Sequence, residues 1–172
     1  MPSDSQSSSS TAPVETELLR AVCGHFVTGV TVITSGRGEQ AAGTTVNSFT
    51  SVSLDPPLVL FCLHHKSRLR DVVEDSQAYA VNFLAAQHEP LARAFAGRST
   101  ASLQEVPHRP SATGVPVLSD ALAYLSCRLV NTFEGGDHTV FVGEVVDLDV
   151  PERDRRPLVF FRGAMGALPA AV

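Results

Sequence analysis

Read as a strand, the stretch Ala121 to Phe133 carries apolar residues on both faces. Leu122, Tyr124 and Val130 fall on one side; Ala123, Leu125, Cys127, Leu129 and Phe133 fall on the other. Such a strand must be covered twice, which excludes a single sheet with one solvated face. Further strands are expected at Val30 to Thr34, Ala42 to Thr50, Leu58 to His64, Tyr79 to Leu84, His138 to Asp149 and Leu158 to Arg162. Hairpin signals stand at Gly36-Arg37-Gly38 and Gly135-Gly136-Asp137. The pattern predicts a mainly β fold, a closed antiparallel barrel with a few short flanking α-helices. No regular βαβ series supports a doubly wound parallel sheet.

Helical spacing begins near Glu15, with Leu18, Leu19, Val22 and Phe26 on one face and Gly29 as the expected stop. Short helices are expected at Ser67 to Ser76 and Glu89 to Ala96, with Pro90 in the first turn of the second. Six serines in the first ten residues make residues 1–14 a flexible tail, and 169–172 a second short one. Residues 15–168 form one domain. Gly97 to Ser119, with three prolines and no periodicity, reads as a long loop covering a ligand site.

Composition narrows the function. Thirteen Lys and Arg against 18 Asp and Glu leave a net charge of −5, which argues against a general nucleic-acid binder. No apolar run is long enough to cross a bilayer, and the first residues lack the pattern of a secretory signal. Cys23, Cys62 and Cys127 are odd in number, widely spaced and set among apolar residues, so they read as buried thiols in a reducing cytoplasm. No His, Cys or carboxylate spacing suggests a metal, and no GxSxG elbow suggests a hydrolase.

Three constellations bear on chemistry. Gly36 to Ala41 matches GxGxxA, but β-forming residues follow where a dinucleotide fingerprint needs a helix, so a hairpin is the better reading. In Thr44 to Ser53, seven of ten residues carry a hydroxyl or amide and none is charged. That suits the polar edge of a flavin ring, and equally a Thr/Ser-rich edge strand. In His64-His65-Lys66-Ser67-Arg68-Leu69-Arg70, cations crowd a helix start whose dipole already disfavours them, each costing about 0.3–1 kcal/mol. A bound phosphate would reverse that sign; a solvated basic patch would tolerate it. His138 opens a strand after a hairpin tip, where exposed histidines are ordinary. His25 is assigned to the first helix, His88 and His108 to loops.

The chain resembles the flavin reductases of two-component monooxygenase systems, which have the FMN-binding split-barrel fold. The resemblance runs from about Val22 to Leu168. Its blocks are Phe26 to Thr34, Gly43 to Pro57 (GTTVNSFTSVSLDPP), Leu58 to Cys62, Tyr79 to Asn82, Ala94 to Gly97, Gly135 to His138 and Pro157 to Gly163.

It implies a cytoplasmic homodimer using FMN or FAD with NADH or NADPH, and a transient flavin-dependent monooxygenase partner, with no nucleic acid and no membrane. Gly43, Thr44, Thr45, Asn47 and Ser48 would line the flavin ring, with Cys62, Leu63 and His64 beside it. Ser67, Arg68 and Leu69 would hold its phosphate end, and Ala94 and Phe95 would also touch it. His138, Phe160, Phe161, Arg162 and Gly163 would face the nicotinamide nucleotide, His138 as a positioning group in catalysis. Family members often have Tyr at Phe161, an aromatic or basic pair at Ala164-Met165, and a second Arg at Ala94. The alternatives are a split-barrel flavin oxidase of a small organic substrate and a non-catalytic flavin- or haem-binding module.

Overall fold

The computed structural model describes residues 13–97, 102–151 and 155–168. The expected tails fall outside these except for Pro13 and Val14, both exposed, and Leu168 now borders the end. The core is one antiparallel sheet. Its strands are β2 (Thr31–Ser35), β3 (Ala42–Val46), β4 (Thr50–Leu54), β5 (Pro57–His64), β6 (Ala78–Phe83), β9 (Ala123–Gly135) and β10 (His138–Asp149), in the order β3-β2-β6-β9-β10-β5-β4. Two short strands, β7 (His108–Pro110) and β8 (Pro116–Leu118), pair as a hairpin, and β1 (Thr28–Gly29), β11 (Leu158–Phe161) and β12 (Ala164–Ala167) form a three-stranded sheet.

Apolar residues sit on both faces because both faces are covered. One face gathers Ile33, Phe61, Tyr79, Val81, Cys127 and Phe141 into a core capped by Leu69 and Val73 of helix α2 (Arg68–Ser76). The other face of β2, through Val32, meets Ala92 and Phe95 of helix α3 (Glu89–Phe95), with Leu84, Leu103 and Leu118. Alternation along β2 therefore sends Ile33 to one core and Val32 to the other.

The expected closed barrel is instead an open hydrogen-bonded ladder, with β3 and β4 as its edges. The expected single strand Ala42 to Thr50 breaks at Asn47-Ser48-Phe49, and this break is the physical reason. Ser48 Oγ donates to the Cys62 carbonyl (3.1 Å) and accepts from the Cys62 amide (3.0 Å). The side chain stands where a neighbouring strand would stand, so the β4–β5 pairing, which reaches Leu60, does not continue past Cys62.

Other boundaries shift for local reasons. Helix α1 (Thr16–Cys23) ends at Gly24 and not at Gly29, which lies in β1 paired to Val159. Gly36 turns β2 into β3 at φ +78°, where an added Cβ would meet the Gln40 carbonyl oxygen at 2.5 Å; a short 3₁₀ turn and then β3 follow, as the hairpin reading requires.

The expected loop at Gly97 to Ser119 is largely built, apart from 98–101, which lie outside the described residues. Buried Asn82 donates to the Val32 carbonyl (2.9 Å) and to Thr34 Oγ1 (3.0 Å) and accepts from the Leu118 amide (2.8 Å), tying β8 to the sheet. Val115 and Val117 then pack with Ala80 and Tyr124. Of the cysteines expected to be buried, Cys127 is, Cys62 is half-buried and Cys23 is exposed, on a helix that buries none of its residues.

Candidate functional site

The break between β3 and β4 opens a groove of about 480 Å³ between β3, the end of β5 and the approach to α2. A second hollow of about 420 Å³ continues it past the start of α2 toward α3, sharing Thr44, Lys66, Ser67 and Gly97. The first contains Thr45, Asn47, Ser48, Cys62, Leu63, His64 and His138; the second contains Gly43, Arg68, Leu69, Ala94 and Phe95. All the residues expected to touch a flavin are thus brought to one continuous trough. Among the described residues no carboxylate lines either part.

The hydroxyls of this trough act differently from the expectation. Thr45 Oγ1 donates to the Ala92 carbonyl (2.7 Å) and Thr44 Oγ1 to the Phe95 carbonyl (3.3 Å). Both acceptors belong to the last turn of α3, whose carbonyls lack helical partners. The threonines therefore fasten α3 to β3, and Ser48 fastens the chain break to Cys62. The outward polar groups of an edge strand are its own alternate amides and carbonyls. Along β3 these, with the Asn47 side chain, are donors and acceptors of the trough.

Its other end is cationic. Ser67 is the N-cap of α2 without capping through its side chain, and Lys66 and Arg68 flank it. Arg70 does not join them: it pairs with Glu74 at 3.1 Å, a contact that holds its guanidinium charged. Burial pushes the Cys62 thiol up, against a smaller opposing effect of its contact with Ser48.

Strand pairing sets His138 opposite His64, their rings 5.2 Å apart and near perpendicular. Asp137 Oδ1 lies 2.7 Å from His138 Nδ1, and Oδ2 lies 3.6 Å from His64 Nε2. The hydrogen bond with His138 first, and the nearby imidazoles after it, hold the Asp137 carboxyl below the usual carboxylate range. Asp137 was visible in the sequence only as a turn residue; its place between two histidines follows from the β5–β10 register.

The residues expected to face a nicotinamide divide. His138 belongs to the trough. Phe160, Arg162 and Gly163 line a separate groove of about 700 Å³, walled on its far side by α1 and the turn after it. Phe161 is exposed and meets His25 edge-on, 6.3 Å between centroids. His25 itself lies just past α1, with Nδ1 2.8 Å from the Ala21 carbonyl. Asn47 lines both the trough and this groove, and its amide donates to Thr28 Oγ1 at 3.3 Å. Sequence reasoning missed the contribution of α1, since its apolar spacing marks a buried helix and gives no signal for a ligand wall. Among the described residues no cluster of three or more His, Cys, Asp or Glu could hold a metal ion.

The model of the flavin reductase like domain matches residues 23–169. The chain belongs to that family. Among the relatives of this flavin reductase-like chain is the reductase subunit HsaB of a flavin-dependent monooxygenase from Mycobacterium tuberculosis. It is 37% identical over 153 residues, which are 88% of this chain and 82% of its own length. The NADH-dependent FMN reductase SmoA of Agrobacterium fabrum is 40% identical over 147 residues, covering 86% and 83%. In three dimensions the chain superposes on a Streptomyces globisporus NADH:FAD oxidoreductase solved with NAD and FAD fragments, at a TM-score of 0.83 and 37% identity. That match covers 92% of this chain and 98% of the other.

Proposed function

We propose that this chain is an NAD(P)H-dependent flavin reductase that transfers hydride to FMN or FAD and supplies reduced flavin to a partner monooxygenase. The observation that carries the reading is the trough, neutral along β3 and cationic at α2, meeting a second groove at Asn47. Its donor set fits a flavin. A ring with a polar edge needs amides that need no counter-charge, and a phosphate needs the cations and free helix amides at Ser67 and Arg68. The family and the activities of those relatives agree with it.

Flavin and nicotinamide, when bound, supply the hydride chemistry themselves. The protein's part is placement. Gly43 to Ser48 present backbone donors and acceptors to the ring edge, held by the Thr45–Ala92 and Ser48–Cys62 contacts. Donors fixed in advance at an edge where negative charge develops lower the barrier without reorganising. Leu63 and Cys62 exclude water from one side. Ser67, Arg68 and Lys66 retain the phosphate, and Ala94 and Phe95 close that end. Phe160 to Gly163 offer the nicotinamide nucleotide a wall continuous with Asn47. His138, with Nδ1 engaged by Asp137, orients the nicotinamide or delivers a proton through Nε2.

The same reading makes the molecule a cytoplasmic homodimer. Leu18, Leu19, Val22 and Phe26 are each more than half exposed, and α1 buries no residue. An eight-residue helix without packing is not stable in water, so a second copy covering that face is the economical completion. No helix among the described residues is long and apolar enough to cross a membrane.

The test is anaerobic turnover at catalytic protein concentration with excess FMN or FAD and either NADH or NADPH. Bleaching of the flavin band in at least one pairing is expected. No bleaching in any of the four, or reduction by an organic amine alone, would remove the reading.

A further inference from the structure

The 700 Å³ groove has a charge pattern that its apolar walls do not explain. Among the described residues two guanidinium groups line it, Arg20 from the last turn of α1 and Arg162 from the turn between β11 and β12, and no carboxylate does. Among the described residues neither Arg20 nor Arg162 has an ion pair or a side-chain hydrogen bond, whereas Arg70, Arg93 and Arg155 all have acidic partners. The end of α1 favours one cation by about 0.3–1 kcal/mol. It gives no reason for a second to be brought to the same groove.

Local structure nevertheless brings it there. Arg162 holds φ at 50°, in the left-handed region that residues with a Cβ seldom adopt. Its amide donates to the Gly24 carbonyl at 2.9 Å, which binds the turn to the end of α1. Two like charges lining one groove are favourable when an anion lies in it. The rest of the lining includes Phe160, a surface on which a planar base stacks.

We infer that Arg20 is a nucleotide-binding residue that, with Arg162, grips the phosphates of the dinucleotide donor in the groove beside α1. The inference rests on the flavin-reductase reading and adds to it a residue that reading does not need. The nicotinamide enters at Asn47, where groove and trough meet, and the phosphate-bearing remainder extends along α1.

The test compares wild type, Arg20→Gln and Arg20→Lys at saturating flavin with two hydride donors. One is NADH. The other is 1-benzyl-1,4-dihydronicotinamide, which has the same reactive ring and no phosphate. Arg20→Gln is expected to raise KM for NADH roughly 10- to 100-fold with kcat within about twofold, the range for a lost charge-assisted contact. Arg20→Lys recovers part of that loss, and kcat/KM for the benzyl donor is the same in all three proteins. An unchanged KM for NADH in Arg20→Gln, with wild type active, would overturn the role of Arg20 and leave the flavin reductase standing. An equal loss with both donors would also overturn it, as damage unrelated to phosphate. A wild type inactive with NADH would remove the underlying reading and this inference together.

Discussion

Gly143 and Tyr79 illustrate how tightly single residues are constrained in this sheet. Tyr79 is fully buried, stacked edge-on against Phe61 at 4.7 Å, with its hydroxyl against Gly143 and Cys127. Burial first, and the Cys127 contact after it, lift the Tyr79 phenol far above its ordinary range; burial pushes the Cys127 thiol up to about 12. A Cβ at Gly143 would overlap the Tyr79 hydroxyl and lie 2.7 Å from Cζ. Gly143→Ala is therefore expected to cost about 1–3 kcal/mol by overpacking, read as a lower urea midpoint with an unchanged slope. An unaltered midpoint would show that the Tyr79 ring can move aside. The trough residues are subtler. Their types were legible as a run of hydroxyls and amides, but which atoms remain free was not. Thr44, Thr45 and Ser48 spend their donors on carbonyls 51, 47 and 14 residues away, and nothing local announces those partners.

Elements depend on polar ties as much as on apolar packing. Asp120 joins two of them. It lies 2.9 Å from His88 Nε2 in the turn before α3 and accepts from Arg155 at 2.6 Å ahead of β11. The His88 hydrogen bond first, then the Arg155 charge, lower the Asp120 carboxyl pKa, with partial desolvation opposing them. The carboxylate is the favoured form in the folded chain. Its contribution is thus complete above the unfolded value near 3.8 and is lost as pH falls through the lower folded value. With Asp120 well exposed, solvent screening keeps that contribution to about 1 kcal/mol or less. Asp120→Asn is expected to flatten the acid limb of urea midpoint against pH. A wild-type acid limb retained in the variant would contradict this.

The elements read correctly are those whose pattern is local, such as β10, found at His138–Asp149 as expected, and α2, found within one residue. Those misread depend on distant partners. The hairpin of β7 and β8 has prolines where strands rarely carry them and exists because Asn82 and Ser126 receive it. Strand β12 is made of Ala164-Met165-Gly166-Ala167, which carries almost no strand signal, and forms by pairing with β11.

At the scale of the molecule, the account needs a second copy and a bound flavin. The exposed face of α1 predicts that Leu19→Glu with Val22→Glu yields a monomer by sedimentation at tens of micromolar, while wild type sediments as a dimer. A wild-type monomer under those conditions would mean that α1 is covered by something else. The class of fold was legible because apolar alternation on both strand faces demands two covering layers. The opening of the ladder was not, since it turns on Ser48 standing in for a strand beside Cys62. That opening is what makes the trough. The most direct measurement is electron density from crystals grown with oxidised FMN. The account predicts the ring along Gly43 to Ser48 and beside Cys62 to His64, with the phosphate at Ser67 and Arg68. Density in another cavity, or in this one with the phosphate toward Asn47, would contradict it.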